Sequence, residues 1–113
     1  VILFGTQGGE GQPQTQLQTL LRMLHYGFDA EQAVSAPRFV WGRTWGAAAN
    51  EKLRIENRVP SHVVKQLCEA GHDVEVVESF DGAVGHAHAI QRTNDGLLVG
   101  GFDPRSDGAA FGF

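Results

Sequence analysis

Apolar residues along the chain follow two kinds of spacing. Val1-Ile2-Leu3-Phe4 is an unbroken run that stops at a glycine, which predicts a buried strand, although so short a run also fits a buried helical segment. From Gln14 the period changes. Leu17, Leu20, Leu21 and Leu24 fall at i, i+3, i+4 and i+7, one complete stripe of an amphipathic helix. Pro13 suits the first turn of that helix and Gly27 its C-terminal stop. With the stripe turned inward, each leucine would contribute roughly 1.5–3 kcal/mol before chain entropy is set against it.

The pattern beyond Gly27 is shorter in stride. Asp29 and Gln32 have the spacing of a capping box for a second helix, with Ala33 and Val34 inward and Pro37 as its end. Arg38 to Trp41 reads as a strand, Gly42 to Asn50 as a small-residue loop containing Trp45, and Lys52 to Glu56 as a strand with Leu53 and Ile55 on one face. The two strands are expected to pair as a hairpin. Pro60 opens a third helix that turns Val63, Val64 and Leu67 inward and stops at Gly71. Cys68 beside that stripe is expected to be a small buried hydrophobe. His72 to Glu78 and His86 to Gln91 alternate as strands, and Asn94-Asp95-Gly96 is a turn feeding Leu97-Leu98-Val99. The order predicts a mixed α/β layer arrangement with antiparallel pairing toward the C-terminus.

Between the first strand and the first helix lies Gly5-Thr6-Gln7-Gly8-Gly9-Glu10-Gly11, four glycines in seven residues. Glycine lets the backbone approach another group closely. Successive free N–H groups at a helix N-terminus attract negative charge, whether a phosphate, a carboxylate or the oxyanion of acyl transfer. A tight turn with no ligand fits the same glycines, and composition does not separate the two. Nucleotide binding does not fit. Gln14 stands where a dinucleotide loop needs its third glycine, Glu10 would repel a pyrophosphate, and the only lysines are Lys52 and Lys65.

Composition narrows the remaining classes. The 113 residues, 42% apolar and 19% charged, suit one globular domain. A formal charge of −4 without a basic cluster argues against a nucleic-acid partner. The apolar runs fall far short of a membrane span. One cysteine excludes an internal disulfide and leaves the compartment open, bacterial cytoplasm and periplasm alike. The chain starts in mid-strand without a basic lead-in, so it is expected to be a piece of a longer protein whose targeting segment lies elsewhere.

Candidate chemistry outside the glycine loop is sparse. His86 and His88 share a strand face, but no metal-ligand motif accompanies them. They are expected to be polar strand residues, one of which could face a substrate. No Gly-x-Ser-x-Gly elbow is present. Asp103 and Arg105 are expected to form a structural ion pair near the site. No metal and no cofactor is expected.

Several segments taken together resemble one family. They are Gly5-Thr6-Gln7-Gly8-Gly9, the leucine helix ending Tyr26-Gly27, Glu31-Gln32-Ala33-Val34-Ser35-Ala36-Pro37-Arg38-Phe39, the helix ending Ala70-Gly71-His72, and Asp103-Pro104-Arg105-Ser106-Asp107-Gly108. In order and spacing they resemble the C-terminal part of the small subunit of the γ-glutamyltransferase family. The resemblance implies an α/β (α+β) fold, part of an N-terminal-nucleophile hydrolase αββα sandwich of mostly antiparallel strands with flanking helices. It implies that residues 1–113 are a single domain within that subunit. Family members cleave themselves and expose a threonine whose own amine serves as base. That threonine carries the γ-glutamyl group to water or an amine. Gly8 and Gly9 would then donate N–H groups to the tetrahedral oxyanion. The resemblance implies that the nucleophile lies upstream; neither Val1 nor the internal Thr6 can stand in for it, so this chain alone is expected to be inactive. Glu10-Gly11-Gln12-Pro13-Gln14 resembles an acyltransferase-like subgroup that includes cephalosporin-acylase relatives. The implied partners are the remainder of the parent chain and a γ-glutamyl or acyl-amide small molecule. Self-association of the isolated chain is expected from unpaired strand edges. A non-catalytic anion-binding module is the alternative from another class, and a purely structural domain a third.

Overall fold

The computed structural model describes residues 1–42, 44 and 51–113. The loop expected around Trp45 lies outside the described residues. The first strand is longer than its apolar run. β1 (Ile2–Gln7) continues through Gly5 and Thr6 because β5 (His86–Arg92) pairs with it antiparallel, Ile2 opposite Gln91 and Gln7 opposite His86. β6 (Leu98–Gly101) pairs antiparallel on the other edge of β5, giving one three-stranded sheet in the order β1-β5-β6. A second sheet has the order β2-β3-β4. There β2 (Phe39–Trp41) and β3 (Leu53–Glu56) form the expected antiparallel pair, and β4 (Val74–Val77) joins β3 in parallel. The parallel pairing needs a crossover, which α3 (Ser61–Glu69) supplies.

α1 (Gln12–Leu24) carries a proline in its first turn, and Gly27 follows it at φ +72, where Phe28 N–H returns to Arg22 O at 2.9 Å. α2 (Ala30–Ser35) begins on the predicted capping box. Asp29 Oδ1 accepts from Gln32 N–H at 2.8 Å, and Gln32 Oε1 accepts from Asp29 N–H at 3.1 Å.

The packing of α1 departs from its periodicity. Leu17, Leu21 and Leu24 are 59, 45 and 71% exposed, while Thr15, Gln18, Thr19 and Met23 face the interior. The leucine stripe therefore does not make the core of this chain. Buried hydroxyls are tolerated because Thr15 Oγ1 donates toward Gly11 O at 3.3 Å and Thr19 Oγ1 toward Thr15 O at 2.9 Å, each one turn back. Their small side chains let the helix lie close to the sheet. Met23, Ala30, Ala33, Val34, Ala87 and Ala89 form the cluster beneath, with Ile2 and Val99 against it. The approach of α2 is closest at Gly101, where a Cβ would stand 2.4 Å from Ala30 O.

Two further expectations fail. Cys68 is exposed, and no residue of α3 is fully buried, since Val63, Val64 and Leu67 are only half-covered. On the opposite face of the first sheet, which the tail from Gly108 covers only in part, Leu3 and Leu98 are each 66% exposed, with Ile90 between them. Two sheets, paired antiparallel except between β3 and β4, with helices beside them give the expected mixed α/β arrangement. No described helix is long and apolar enough to cross a membrane.

Candidate active site

The glycine loop sits where β1 ends and α1 begins. Gly9 opens a one-turn 3-10 helix, Gly9–Gly11, at φ +52, a left-handed conformation that costs a residue with a side chain about 1–2 kcal/mol. Gly8 O accepts Gly11 N–H at 2.9 Å and Gly9 O accepts Gln12 N–H. Both carbonyls are thus committed to starting the helix, and neither bond uses the N–H of Gly8 or Gly9. Those two donors stand at the N-terminal end of a 13-residue helix, whose dipole favours negative charge. Side chains brace the loop from both flanks. Gln16 Nε2 donates to Thr6 Oγ1 at 3.0 Å, and Thr6 Oγ1 lies 3.5 Å from Gln12 Oε1.

The two strand histidines share a face, as their spacing requires, but their surroundings differ. His86 pairs with Gln7, the second residue before Gly9, and is half-buried. Burial lowers its pKa from the ordinary 6.5, against the opposing pull of Asp103, so its imidazole is neutral at pH 7. His88 lies one step further, opposite Gly5. A Cβ on Gly108 would come 2.7 Å from its Cε1, so the chain after β6 passes over it. A cavity of about 740 Å³ on this face is lined by His88, Ile90, Leu98, Gly100, Phe111 and Phe113 among others, and does not reach Gly8 or Gly9. Among the described residues, no group of His, Cys, Asp and Glu could hold a metal ion.

Asp103 and Arg105 lie deep in the molecule. Arg105 Nη1 donates to Asp103 Oδ1 at 2.8 Å, with neither side chain exposed. The pair belongs to a larger network that the sequence did not announce. Asp103 Oδ2 accepts from Arg38 Nη2 at 2.5 Å and from Ala87 N–H at 2.7 Å, and its Oδ1 also takes Arg105 N–H at 3.0 Å. Burial pushes the Asp103 carboxyl up, but Arg38, Arg105 and the donated N–H bonds outweigh it and hold the pKa below the ordinary 3.8. Glu56 receives Arg105 Nε at 2.6 Å and Nη2 at 2.9 Å, together with Arg58 Nη2 at 2.6 Å. The guanidinium of Arg58 stacks 3.7 Å above the ring of Phe80, whose backbone is left-handed at φ +57. Arg38 Nη1 donates to Gly85 O at 2.8 Å and its Nη2 to Val34 O at 2.6 Å, while Arg105 reaches Val34 O and Ala36 O at 3.0 Å each. Arg22, lowered to about 10 by burial and by the charges of Arg38 and Arg105, bonds Ala33 O and Pro37 O and stays protonated at neutral pH.

The network fastens the end of α2, the start of β2, β3, β5 and the turn after β6 to one another. It reaches β5 through Ala87 N–H, and β5 pairs with β1, the strand that leads into the glycine loop. Arg38 and Glu56 were not singled out from the sequence. The available signal was that each puts a charge into a strand whose neighbours are apolar, Arg38 beside Phe39-Val40 and Glu56 beside Ile55. Such a charge requires a buried partner.

A model of the Gamma-glutamyltranspeptidase family matches residues 1–113. The chain is 54% identical, over 98% of its length, to the glutathione hydrolase-like YwrD proenzyme of Bacillus subtilis. It is 45% identical, over its whole length, to the oxamate amidohydrolase proenzyme of Klebsiella pneumoniae. In both cases it spans only 21% of the relative. Among solved structures, cephalosporin acylase from Bacillus halodurans superposes with a TM-score of 0.79 at 32% identity, covering 94% of this chain and 19% of that one.

Proposed function

The chain belongs to the γ-glutamyltranspeptidase family, and from that premise we propose that it is the C-terminal domain of the small subunit of an amide-cleaving acyltransferase or hydrolase. In this reading Gly8 and Gly9 donate their N–H groups to the oxyanion formed when a nucleophile from the rest of the protein attacks an acyl amide. The observation that carries the reading is the loop itself. Its carbonyls are used by the helix start, and its N–H pair lies at the positive end of α1. Preorganised donors of this kind are worth about 2.7–4 kcal/mol each in the transition state.

The donor is an acyl amide, γ-glutamyl or related. The names of the Bacillus subtilis and Klebsiella pneumoniae relatives both describe a hydrolase, the second an amidohydrolase, which supports this. The acyl group passes to water or to an amine. No side chain here serves as nucleophile, so the isolated chain is inactive and the attacking threonine belongs to the remainder of the parent. His86, half-buried and opposite Gln7 beside the loop, is the nearer candidate to hydrogen-bond a substrate. His88 stands further off, next to Gly108. Asp103 and Arg105 support the site structurally.

Expression of the whole protein tests the proposal. It should split into two subunits and release the chromophore from a γ-glutamyl anilide, or ammonia from a small amide such as oxamate. Gly9→Ala should lower kcat roughly 5- to 30-fold, the penalty of a side chain at left-handed φ. A whole protein that neither splits nor turns over any acyl amide would refute the enzyme reading and leave an anion-binding module.

A further inference from the structure

The glycine loop is held from beneath by two residues outside it. Thr15 is fully buried in the first turns of α1, and its Oγ1 lies 3.3 Å from Gly11 O and 3.3 Å from Val84 O. One hydroxyl proton serves these acceptors alternately. Val84 ends a one-turn helix, Gly82–Val84, and Gly85 follows at φ +81. There is no room for a side chain at Gly85, where a Cβ would stand 2.8 Å from Thr15 Oγ1 and 3.3 Å from Gln7 O. Gly85 is itself anchored, since its carbonyl accepts Arg38 Nη1 at 2.8 Å. Thr15 is anchored too, through its own carbonyl to Thr19 Oγ1 at 2.9 Å.

The contacts meet the loop at both ends. Gln7 precedes Gly8 and packs on Gly85, and Gly11 closes the loop and is tied to Thr15. We propose that Thr15 and Gly85 are positioning residues that hold the N–H groups of Gly8 and Gly9 in the orientation that receives the oxyanion. The proposal rests on the functional reading above. It does not concern substrate affinity. A loosened donor pair loses most where charge is greatest, in the transition state, so kcat falls while KM stays.

Thr15→Val in the whole protein keeps the shape and removes the hydroxyl, and Thr15→Ser keeps the hydroxyl. Two measurements are made on both variants: steady-state kinetics on a γ-glutamyl anilide, and amide hydrogen exchange by mass spectrometry over a peptide spanning residues 5–12. The Val variant should lose about tenfold in kcat with KM changed less than about twofold, and exchange in that peptide should quicken about tenfold. The Ser variant should recover most of both. Unchanged exchange in the Val variant overturns the proposal, as does a loss confined to KM or a failure of serine to rescue. If the unmodified protein turns over no acyl amide, the functional reading fails, and exchange alone then decides whether Thr15 holds the loop.

Discussion

Asp103 receives hydrogen bonds from two guanidinium groups and two backbone N–H groups in a position without solvent exposure. Removing its charge takes the carboxylate partner from Arg38 while Arg105 keeps Glu56, and breaking a buried ion pair on one side costs about 3–5 kcal/mol. Asp103→Asn in the whole protein should therefore lower the unfolding free energy obtained from urea titration by about that amount. The same group sets an acid limit. Its folded pKa lies below the unfolded value of about 3.9. The stability it contributes is complete above that value and drains away as pH falls through the folded pKa. Urea titrations at a series of pH values below about 5 should show this decline in the native protein and a shallower one in Asp103→Asn. Sequence pattern placed Asp103 and Arg105 together because they are two residues apart within one turn motif. It missed Arg38 and Glu56, which are 65 and 49 residues away from the partners they hold.

The elements show the same division. The capping box of α2, the stop at Gly27 and the turn at Gly96 (φ +90) are local and follow from residue type. Asp29→Ala should cost about 0.5–2 kcal/mol, measured by thermal or urea unfolding. The contact between β6 and α2 is tertiary. At Gly101 the backbone of Ala30 leaves no space for a methyl group, so Gly101→Ala should destabilise by about 1–3 kcal/mol or more. Unchanged unfolding in that variant would mean the helix can move off the sheet without cost. In α1 the period of 3.6 predicted a helix correctly and its buried face wrongly. Two stripes run along it, four leucines on one and Thr15, Thr19 and Met23 on another. The threonines satisfy their hydroxyls on the helix backbone, so the polar stripe can be buried at small cost.

At the scale of the molecule, the apolar surface left open is large. Leu17, Leu24, Leu3 and Leu98 are each more than half exposed, on one face of α1 and one face of the first sheet. The family relatives are about five times longer than this chain. The isolated chain should self-associate, and sedimentation velocity over a concentration series should show species heavier than 12.2 kDa. Leu17→Lys with Leu24→Lys should shift the distribution toward monomer. A wild-type chain that sediments as monomer at every concentration would contradict this.

The order of strands and helices, their stops and caps, and the glycine loop at the head of α1 were determined by the sequence alone, because each depends on φ preferences, local hydrogen bonds and short-range periodicity. The tertiary structure alone decided which face of α1 is buried, which charges neutralise Arg38 and Glu56, and why Gly85 must lack a side chain. Those outcomes depend on which distant segments meet, and pairing across the fold leaves no periodic mark along the chain.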